Sequence, residues 1–347
     1  MSTTRHRILV GFGPATTANS FHQSGVKVSK ELEKDPGFGC AVFREPFEIE
    51  KLLEFDALVF IKIIPPYDVL KRLKDAGKKL ILDYQDMFLY PSVYEKDPLR
   101  KVLKKLYYFR LESGERKRFA LFDRCLVASP AAEAAVRETG MEPFFLERQI
   151  YNDRSRFIKK EYGNNTTGLT LYWTGVALNI DENRPIEPVL ERLCRRRSSK
   201  VVYHTGHTGG PGSADYAEYR GWSLDNWEDE MAAADIAFRW WADSNNQHNK
   251  DSNKVISYMA AGLPVICRPT LSDRRVARHG VNGFFAETPE EFGSMLERLM
   301  LDPLLRKRVG EAAFKEAWAR FSLERHVACL KGLLLDISSG KKGLMAV

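Results

Sequence analysis

The sequence alternates short apolar runs with amphipathic helical segments, and the alternation restarts once near the middle of the chain. Apolar runs of about four to eight residues separated by helical patterns are typical of βαβ units and a parallel sheet. The runs that predict strands are 7–11, 57–63, 79–83 and 124–128 in the first half, and 169–174, 200–205, 235–238 and 264–268 in the second. Helices are predicted at 67–76, 131–138, 186–197, 224–234, 253–261, 289–301 and from 304 through 318 to 335. The chain is therefore predicted to form two α/β domains.

The length of 347 residues suits two domains of about 150–180 residues each. A polar, turn-rich segment at 154–169 separates the two halves and is predicted to be a linker. The predicted division is 1–153 for the first domain, 170–318 for the second, and 319–347 for a C-terminal helix and tail. The amphipathic pattern of this last helix favours packing back on the first domain.

Composition excludes several classes of protein. With 44% hydrophobic and 29% charged residues, the chain has the composition of a soluble globular protein. No apolar stretch approaches the roughly 18 residues of a membrane span, and the apolar run 8–12 is too short for the core of a signal peptide. The five cysteines lie far apart without a C-x-x-C motif, and the histidines lack the spacing of metal ligands. We therefore expect a cytoplasmic protein with reduced thiols and no metal.

The formal net charge of +7 favours acidic partners, namely nucleotide diphosphates, anionic lipid headgroups or nucleic acid. Nucleic acid is the least favoured, because the basic residues accompany no recognisable recognition module. Eight of the Lys and Arg residues lie between Pro98 and Ala120, interleaved with Tyr107, Tyr108 and Phe109. This stretch has two interpretations, a surface that docks on an anionic membrane or a charged helix in contact with solvent.

The segment from 250 to 268 predicts a helix whose N-terminus can bind an anion. Ser252 is suited to the N-cap, and Gly262 is suited to the left-handed position that ends the helix. A buried strand follows, so the helix is expected to begin at the carboxyl edge of a parallel sheet, where open α/β proteins bind ligands. Backbone N–H groups, the helix dipole and the charges of Lys250 and Lys254 favour a diphosphate there. The alternative is an ordinary capped helix with two solvated lysines.

A set of motifs occurs along the chain in an order that a known family shares. The strongest are K-x-x-x-Y-M-A-A-G-L-P-V-I, which begins at Lys254, and H-G-V-N-G-F-F at 279–285. Together they resemble the C-terminal, donor-binding domain of GT-B glycosyltransferases close to family 4. Weaker matches are TLYWTG at 170–175, VVYHTG at 201–206 and WEDEMAAADI at 227–236, with 8–13, LDYQD at 82–86 and 124–129 in the first half.

The resemblance implies a GT-B fold, in which two facing Rossmann-like domains each hold a parallel sheet and the C-terminal helix packs back on the first domain. It also implies an enzyme that moves a sugar from a nucleotide-sugar donor to a glycan, lipid-linked or small-molecule acceptor. The transfer is expected to retain the configuration of the sugar and to need no metal. The nucleotide-sugar is then a substrate, and no cofactor is expected. Surface polysaccharide or glycolipid assembly is the implied role, in the cytoplasm or on the inner face of the membrane.

Several positions depart from the family pattern. The Glu-x7-Glu pair is replaced by Asn249 and Ser257. The histidine after a strand of the first domain is Gln85, and the glutamate before an N-G turn is Arg275. These departures leave two alternatives open: a degenerate GT-B protein that binds a nucleotide sugar or a partner without transfer, and a nucleotide-sugar epimerase on the same fold.

The region around the predicted helix start resembles a variant that has one carboxylate and two lysines in place of the glutamate pair. By this resemblance, Lys254 and Lys250 bind the donor diphosphate, together with Asn253 and Ser252 at the start of the helix. The resemblance also assigns Asp243 to a sugar hydroxyl in catalysis, and Ser257 to a weak substitute for the missing glutamate.

Four more residues are candidates because they follow predicted strands. Asp86 is a candidate general base for the acceptor hydroxyl, or a cap of the next segment. Arg239 is a candidate partner of the donor phosphate, or one half of an ion pair. Gly13 and Gly206 close strand–loop turns that are expected to lie near the donor. Gly13 lies in a stretch without the third glycine of a dinucleotide fingerprint, which argues against NAD.

The basic stretch 98–120 yields a prediction about membranes. Changing Lys101, Lys104 and Lys105 to Glu is expected to weaken binding to vesicles that contain anionic lipid, since these charges would attract the headgroups. Vesicle pelleting measures the binding, which is expected to fall as salt concentration rises. Equal pelleting with neutral vesicles, or no effect of the triple change, would favour the solvated charged helix.

Overall fold

The computed structural model describes residues 7–16, 21–85, 98–99, 102, 116–151, 153–157, 161–206, 215–241 and 250–339. The chain divides into two compact units. The first unit consists of Met1–Glu147, Asn249–Asp251 and Leu323–Val347, and the second of Arg148–His248 and Ser252–Ser322.

Within the described residues, the first unit has a parallel sheet of six strands in the order β2-β1-β3-β4-β5-β6. The strands are β1 (Ile8–Gly13), β2 (Phe38–Val42), β3 (Ala57–Ile61), β4 (Lys79–Asp83), β5 (Arg124–Val127) and β6 (Pro143–Phe145). A π-helix (His22–Lys27) continues into α1 (Val28–Leu32), and α2 (Ile49–Leu52), α3 (Tyr67–Asp75) and α4 (Pro130–Glu138) follow. The order is that of a doubly wound sheet that reverses between β1 and β3.

The second unit has its own parallel sheet, with six described strands in the order β12-β11-β10-β7-β8-β9. The strands are β7 (Thr170–Thr174), β8 (Lys200–Thr205), β9 (Ala217–Gly221), β10 (Ile236–Arg239), β11 (Val265–Cys267) and β12 (Phe284–Phe285). The helices are α5 (Arg154–Phe157), a 3₁₀-helix (Ala177–Ile186), α6 (Glu187–Arg196), α7 (Trp227–Ala232), α8 (Asn253–Ala260), α9 (Leu271–Val276), α10 (Pro289–Leu301) and α11 (Pro303–Arg320). This is the Rossmann strand order, and it reverses between β7 and β10.

The two-sheet α/β architecture confirms the predicted fold class. All eight predicted strands are present, with ends that differ by at most two residues and two strands, 79–83 and 200–205, that match at both ends. The structure adds β2, β6, β9 and β12, which the sequence pattern does not show, and each of them is an edge strand of its sheet. Each sheet has a buried apolar cluster on both faces, as expected for parallel sheets covered by helices.

The C-terminal region forms two helices rather than the predicted continuous one. The helix α11 ends at Arg320, and its C-cap is Phe321, a buried residue whose carbonyl accepts a hydrogen bond from the Ile150 N–H at 2.7 Å. The chain then begins α12 (Leu323–Ser338), which packs in the core of the first unit beside Val10 and Val59. The expectation that the last helix packs on the first domain is confirmed. No helix in the described part of the chain is long and apolar enough to cross a bilayer.

The segment 154–169, predicted as a linker, is packed on the second unit. Its helix α5 buries Phe157, and the Tyr162 hydroxyl donates to the Gly262 carbonyl at 2.7 Å. The buried Arg306 guanidinium donates to the carbonyls of Gly163 at 3.0 Å and Asn165 at 2.6 Å. The contacts with Arg306 are made by backbone carbonyls of the segment, so its polar side chains give no sign of them.

The packing of α12 predicts a contrast between two adjacent leucines. Leu334 is buried in the core of the first unit, whereas Leu335 is 44% exposed. Leu334→Ala is expected to lower the free energy of unfolding by about 2–5 kcal/mol, because it removes buried methyl groups and leaves a cavity. Leu335→Ala is expected to change it by less than about 0.5 kcal/mol. Urea unfolding followed by circular dichroism measures both, and equal effects would contradict the packing of this helix.

Candidate functional site

The sheet of the second unit reverses its strand order between β7 and β10, which opens a crevice at the carboxyl ends of these strands. Such a switch point is where open α/β sheets bind ligands. The loop that begins at Gly175 leaves β7, and Trp240 and Trp241 follow β10. The first turn of α8 supplies Lys254 to the same region.

Lys254 lies against the end of β7. Its ammonium nitrogen is 4.9 Å from the centre of the Trp173 ring, a cation–π contact. A Cβ atom built on Gly175 would lie 2.7 Å from Lys254 Nζ and 2.6 Å from a carbon of the Trp173 ring. A larger side chain at position 175 would therefore displace the Lys254 ammonium or the Trp173 ring from this position. Gly175 was not among the candidates from the sequence, although it ends the TLYWTG motif that supported the resemblance.

The helix α8 has the predicted C-terminal end, but its N-cap lacks the predicted side-chain hydrogen bond. Gly262 has a φ of 70°, and the N–H of Leu263 donates to the carbonyl of Tyr258 at 3.0 Å, which forms a Schellman-type end. Ser252 occupies the N-cap, but its side chain does not cap the helix. The Ser252 hydroxyl instead donates to Asp273 Oδ1 at 2.9 Å. The predicted capping role of Ser252 is therefore wrong: its backbone (φ −94°, ψ 21°) is not the extended conformation typical of an N-cap, and its side chain is turned toward Asp273.

Asp273 joins three elements of the second unit. Its Oδ1 accepts from Arg239 Nη1 at 2.8 Å as well as from Ser252, and its Oδ2 accepts from the N–H and the hydroxyl of Thr270 at 2.9 and 2.8 Å. The carboxylate is completely buried. Thr270 and Asp273 also form the capping box of α9. The T-x-x-D spacing could have predicted the capping box, but no local pattern predicts the contacts with Ser252 and Arg239.

Arg239 forms the ion pair that was one of its two interpretations. Its side chain is 5% exposed, and its guanidinium also lies 4.0 Å from the centre of the Trp241 ring. The carboxylate of Asp273 therefore compensates the charge that Arg239 brings to the end of β10. A contact between Arg239 and a phosphate remains a prediction. Trp240 and Trp241 are both buried.

Hydrogen bonds among buried polar side chains hold the end of β7 in place. The N–H of Thr174 donates to the Tyr258 hydroxyl at 3.0 Å, and the Thr174 hydroxyl donates to the His204 carbonyl at 2.9 Å. The His204 ring lies 2.8 Å (Nδ1) from the Tyr172 hydroxyl and 3.2 Å (Nε2) from the Gly221 carbonyl. Because a carbonyl only accepts, Nε2 carries the proton and Nδ1 accepts from Tyr172. Burial lowers the pKa of His204, although the hydrogen bond to Gly221 opposes this effect.

A depression elsewhere on the second unit lies away from the switch point. It is lined by residues that include Gly168, Cys194, Lys200 and Tyr216. These residues precede or begin β7, β8 and β9, or lie on α6. The depression therefore belongs to the amino edge of the sheet, opposite the edge at which such folds bind ligands.

Comparisons by sequence and by structure give different results. The sequence matches no family model and no curated protein. Among solved structures, HepE from Anabaena in complex with UDP and glucose has a TM-score of 0.65 at 12% identity, over 96% of this chain and 100% of that one. A sucrose-phosphate synthase from Thermosynechococcus elongatus has a TM-score of 0.65 at 11% identity, over 97% and 100%. A glycosyltransferase from Rickettsia africae has a TM-score of 0.66 at 13% identity, over 96% and 98%.

The chain has the GT-B fold. Matches of this breadth over both units, together with the two parallel sheets, establish the fold. The low sequence identity means that these matches carry the architecture alone.

Most of the remaining candidates from the sequence belong to the second unit. Asn253 and Lys254 are half-buried in the first turn of α8. Lys250 is exposed and is assigned to the first unit. Ser257 is buried in α8. A Cβ atom built on Gly206 would meet no atom of the described residues within 4 Å, so their packing does not require glycine there. Asp243 lies outside the described residues.

In the first unit, packing explains one of the candidates. A Cβ atom built on Gly13 would lie 2.6 Å from the Phe43 ring, so glycine is needed at the end of β1 whether or not a ligand binds. Gln85, which replaces the histidine of the family pattern, donates to Ser24 Oγ at 2.7 Å and to Asp83 Oδ2 at 2.6 Å. Asp86 and most of the basic stretch 98–120 lie outside the described residues.

The buried, neutral His204 predicts a pH dependence of stability. Its folded pKa is lower than its ordinary value of about 6.5, so the unfolded state binds more protons. The stability that depends on neutral His204 is therefore present above about pH 6.5 and is lost as pH falls below that value. His204→Asn is expected to reduce the loss of unfolding free energy between pH 6.5 and 5.5 by up to about 1.4 kcal/mol. Urea unfolding at several pH values measures this, with the exposed His279→Asn as control; identical pH profiles for wild type and His204→Asn would contradict it.

Proposed function

We propose that this GT-B protein is a glycosyltransferase that moves a sugar from a nucleotide-sugar donor to an acceptor hydroxyl. The observation that carries the proposal is the position of Lys254. Its ammonium lies against the Trp173 ring at the end of β7, at the switch point of the second sheet, where the absence of a side chain on Gly175 leaves room for it. A fixed cation at this place is suited to the diphosphate of a donor.

The first turn of α8 adds to this charge. The helix has eight residues, so its dipole favours an anion at its N-terminus. The Ser252 side chain points to Asp273 and does not cap the first turn. Lys250 and Asn253 are the further candidates for the diphosphate. Uridine nucleotides are the first to test, because HepE, which shares the fold, has been solved with UDP and with UDP-glucose.

In the proposed reaction, negative charge develops on the leaving diphosphate, close to the proposed position of Lys254. The bond between the anomeric carbon and the phosphate oxygen breaks, and the acceptor oxygen forms a new bond to that carbon. Negative charge then grows on the leaving diphosphate, where a fixed ammonium stabilises the transition state more than the ground state. We assign Asp86 as the base that takes the proton of the acceptor hydroxyl, and Asp243 as the partner of a sugar hydroxyl. Retention and independence from metal belong to this proposal.

The acceptor belongs to surface polysaccharide or glycolipid assembly in this proposal. The basic stretch 98–120 supports an acceptor at an anionic membrane, because it would bring the protein to the inner face of the bilayer. A glycan, a lipid-linked sugar and a small molecule are the acceptor classes to compare.

A second candidate function is binding of a nucleotide sugar without transfer. Ser257 favours it, because a buried serine stands where the related family has a glutamate. An epimerase on the same fold would instead convert the donor sugar with no acceptor present. Incubation with nucleotide-sugars and candidate acceptors separates the three: free nucleotide and glycosylated acceptor indicate transfer, a changed donor sugar indicates an epimerase, and an unchanged mixture indicates binding alone.

Two variants test the proposed donor site by calorimetry, after a thermal-shift screen of UDP-, GDP-, ADP- and dTDP-sugars. Lys254→Ala is expected to weaken the nucleotide-sugar and the free nucleotide diphosphate alike, by about 1.5–3 kcal/mol or roughly 10- to 150-fold. Lys200→Ala is the control, since Lys200 starts β8 at the amino edge of the same sheet and pairs with Glu218. Unchanged nucleotide binding by Lys254→Ala would remove α8 from the phosphate site.

Asp243 distinguishes the sugar from the nucleotide. Asp243→Asn is expected to weaken the nucleotide-sugar and slow transfer, while the free nucleotide binds almost as before, because the free nucleotide lacks the sugar hydroxyl. The same calorimetry provides the comparison. Equal weakening of both ligands would exclude a contact limited to the sugar.

A further inference from the structure

We infer that Asp273 is a positioning residue of the donor site, an inference that rests on the proposed function. Asp273 does not itself bind the donor. It sets the position of the first turn of α8, and thereby of Lys254, through the hydroxyl of Ser252.

Asp273 connects the elements that carry the site. Oδ1 bonds to Arg239 at the end of β10 and to Ser252 at the start of α8. Oδ2 bonds to Thr270 at the start of α9. Each oxygen therefore has two donors, and the carboxylate has little freedom to turn. A rigid, buried acceptor fixes the position of Ser252, which is itself 2% exposed.

The Ser252 hydroxyl is oriented differently from that of a usual N-cap serine. A serine at the N-cap commonly accepts a hydrogen bond from an N–H group of the first turn. Here the hydroxyl donates to Asp273 and the side chain does not cap the helix. The fold thus forgoes a contribution to helix stability at the one helix whose start carries Lys254. An anion bound at the first turn therefore does not compete with the Ser252 oxygen for N–H groups.

The negative charge of Asp273 is balanced by Arg239. An unpaired carboxylate below the first turn of α8 would repel a diphosphate. The guanidinium of Arg239, 2.8 Å away and equally buried, compensates it. The ion pair of Asp273 and Arg239 is neutral as a whole, so it does not offset the positive charge that Lys254 offers to a donor.

Three variants separate positioning from simple stability. Asp273→Asn is expected to lower the urea midpoint and to weaken UDP, because Arg239 loses its partner and Ser252 loses its acceptor. In the double variant Asp273→Leu with Arg239→Met, the buried charges are replaced together, which is expected to restore much of the midpoint. UDP affinity is expected to stay about tenfold or more below wild type, because Ser252 still lacks its acceptor.

Ser252→Ala provides a milder change. It leaves Asp273 with Arg239 and Thr270, so the urea midpoint is expected to stay near that of wild type while UDP binds about three- to tenfold more weakly. Thr288→Ala is the matched control, since Thr288 caps α10 in the same unit with its hydroxyl. This control is expected to lower the midpoint and leave UDP affinity unchanged.

The outcomes distinguish this inference from the proposed function. Full recovery of UDP affinity in the double variant, or wild-type affinity in Ser252→Ala, would reduce Asp273 to a structural residue while the donor site stands. Failure of the wild-type chain to bind UDP or any other nucleotide in calorimetry would overturn the proposed function, and the positioning role with it. Weaker UDP binding by Ser252→Ala at an unchanged urea midpoint would establish the positioning role, because Arg239 and Asp273 are both intact in that variant.

Discussion

The buried ion pair between Asp273 and Arg239 is the interaction on which the organisation of the second unit depends. Removing two charges from water costs several kcal/mol per ion, and only good geometry and further hydrogen bonds offset that cost. Here the carboxylate has four donors from three separate elements. Such a group specifies one arrangement of β10, α8 and α9, because any shift leaves a buried charge without its partner.

The same arrangement determines what stands at the switch point. Strand order in the second sheet opens a crevice beyond β7 and β10, and α8 begins there. The hydroxyl of Tyr258 in this helix accepts from the backbone N–H of Thr174, which ties the helix to the end of β7. Gly175 then leaves room for Lys254. Strand order, helix position and a single missing side chain together produce a fixed cation at the place where the fold binds ligands.

The inner strands of the two sheets could be predicted from the sequence, and the edge strands could not. The eight predicted strands include all the inner strands, whose continuous apolar runs reflect burial on both faces. The four missed strands are edge strands, and residues such as Ala41 in β2 or Glu218 in β9 are partly or largely exposed. In the site, Gly262 and Lys254 followed from local pattern. The contacts of Asp273 join residues as far as 34 positions apart, which no local pattern reports.

The path of the chain between the units has a consequence for biosynthesis. The second unit is bracketed by Arg148 and Ser322, and its two ends are joined by the hydrogen bond between Ile150 and Phe321. The first unit receives α12 only from the last part of the chain. On the ribosome, most of the second unit emerges before the segment that completes the core of the first. The half that is made first is thus the half that finishes folding last, and an incomplete chain leaves Val10 and Val59 without their helix.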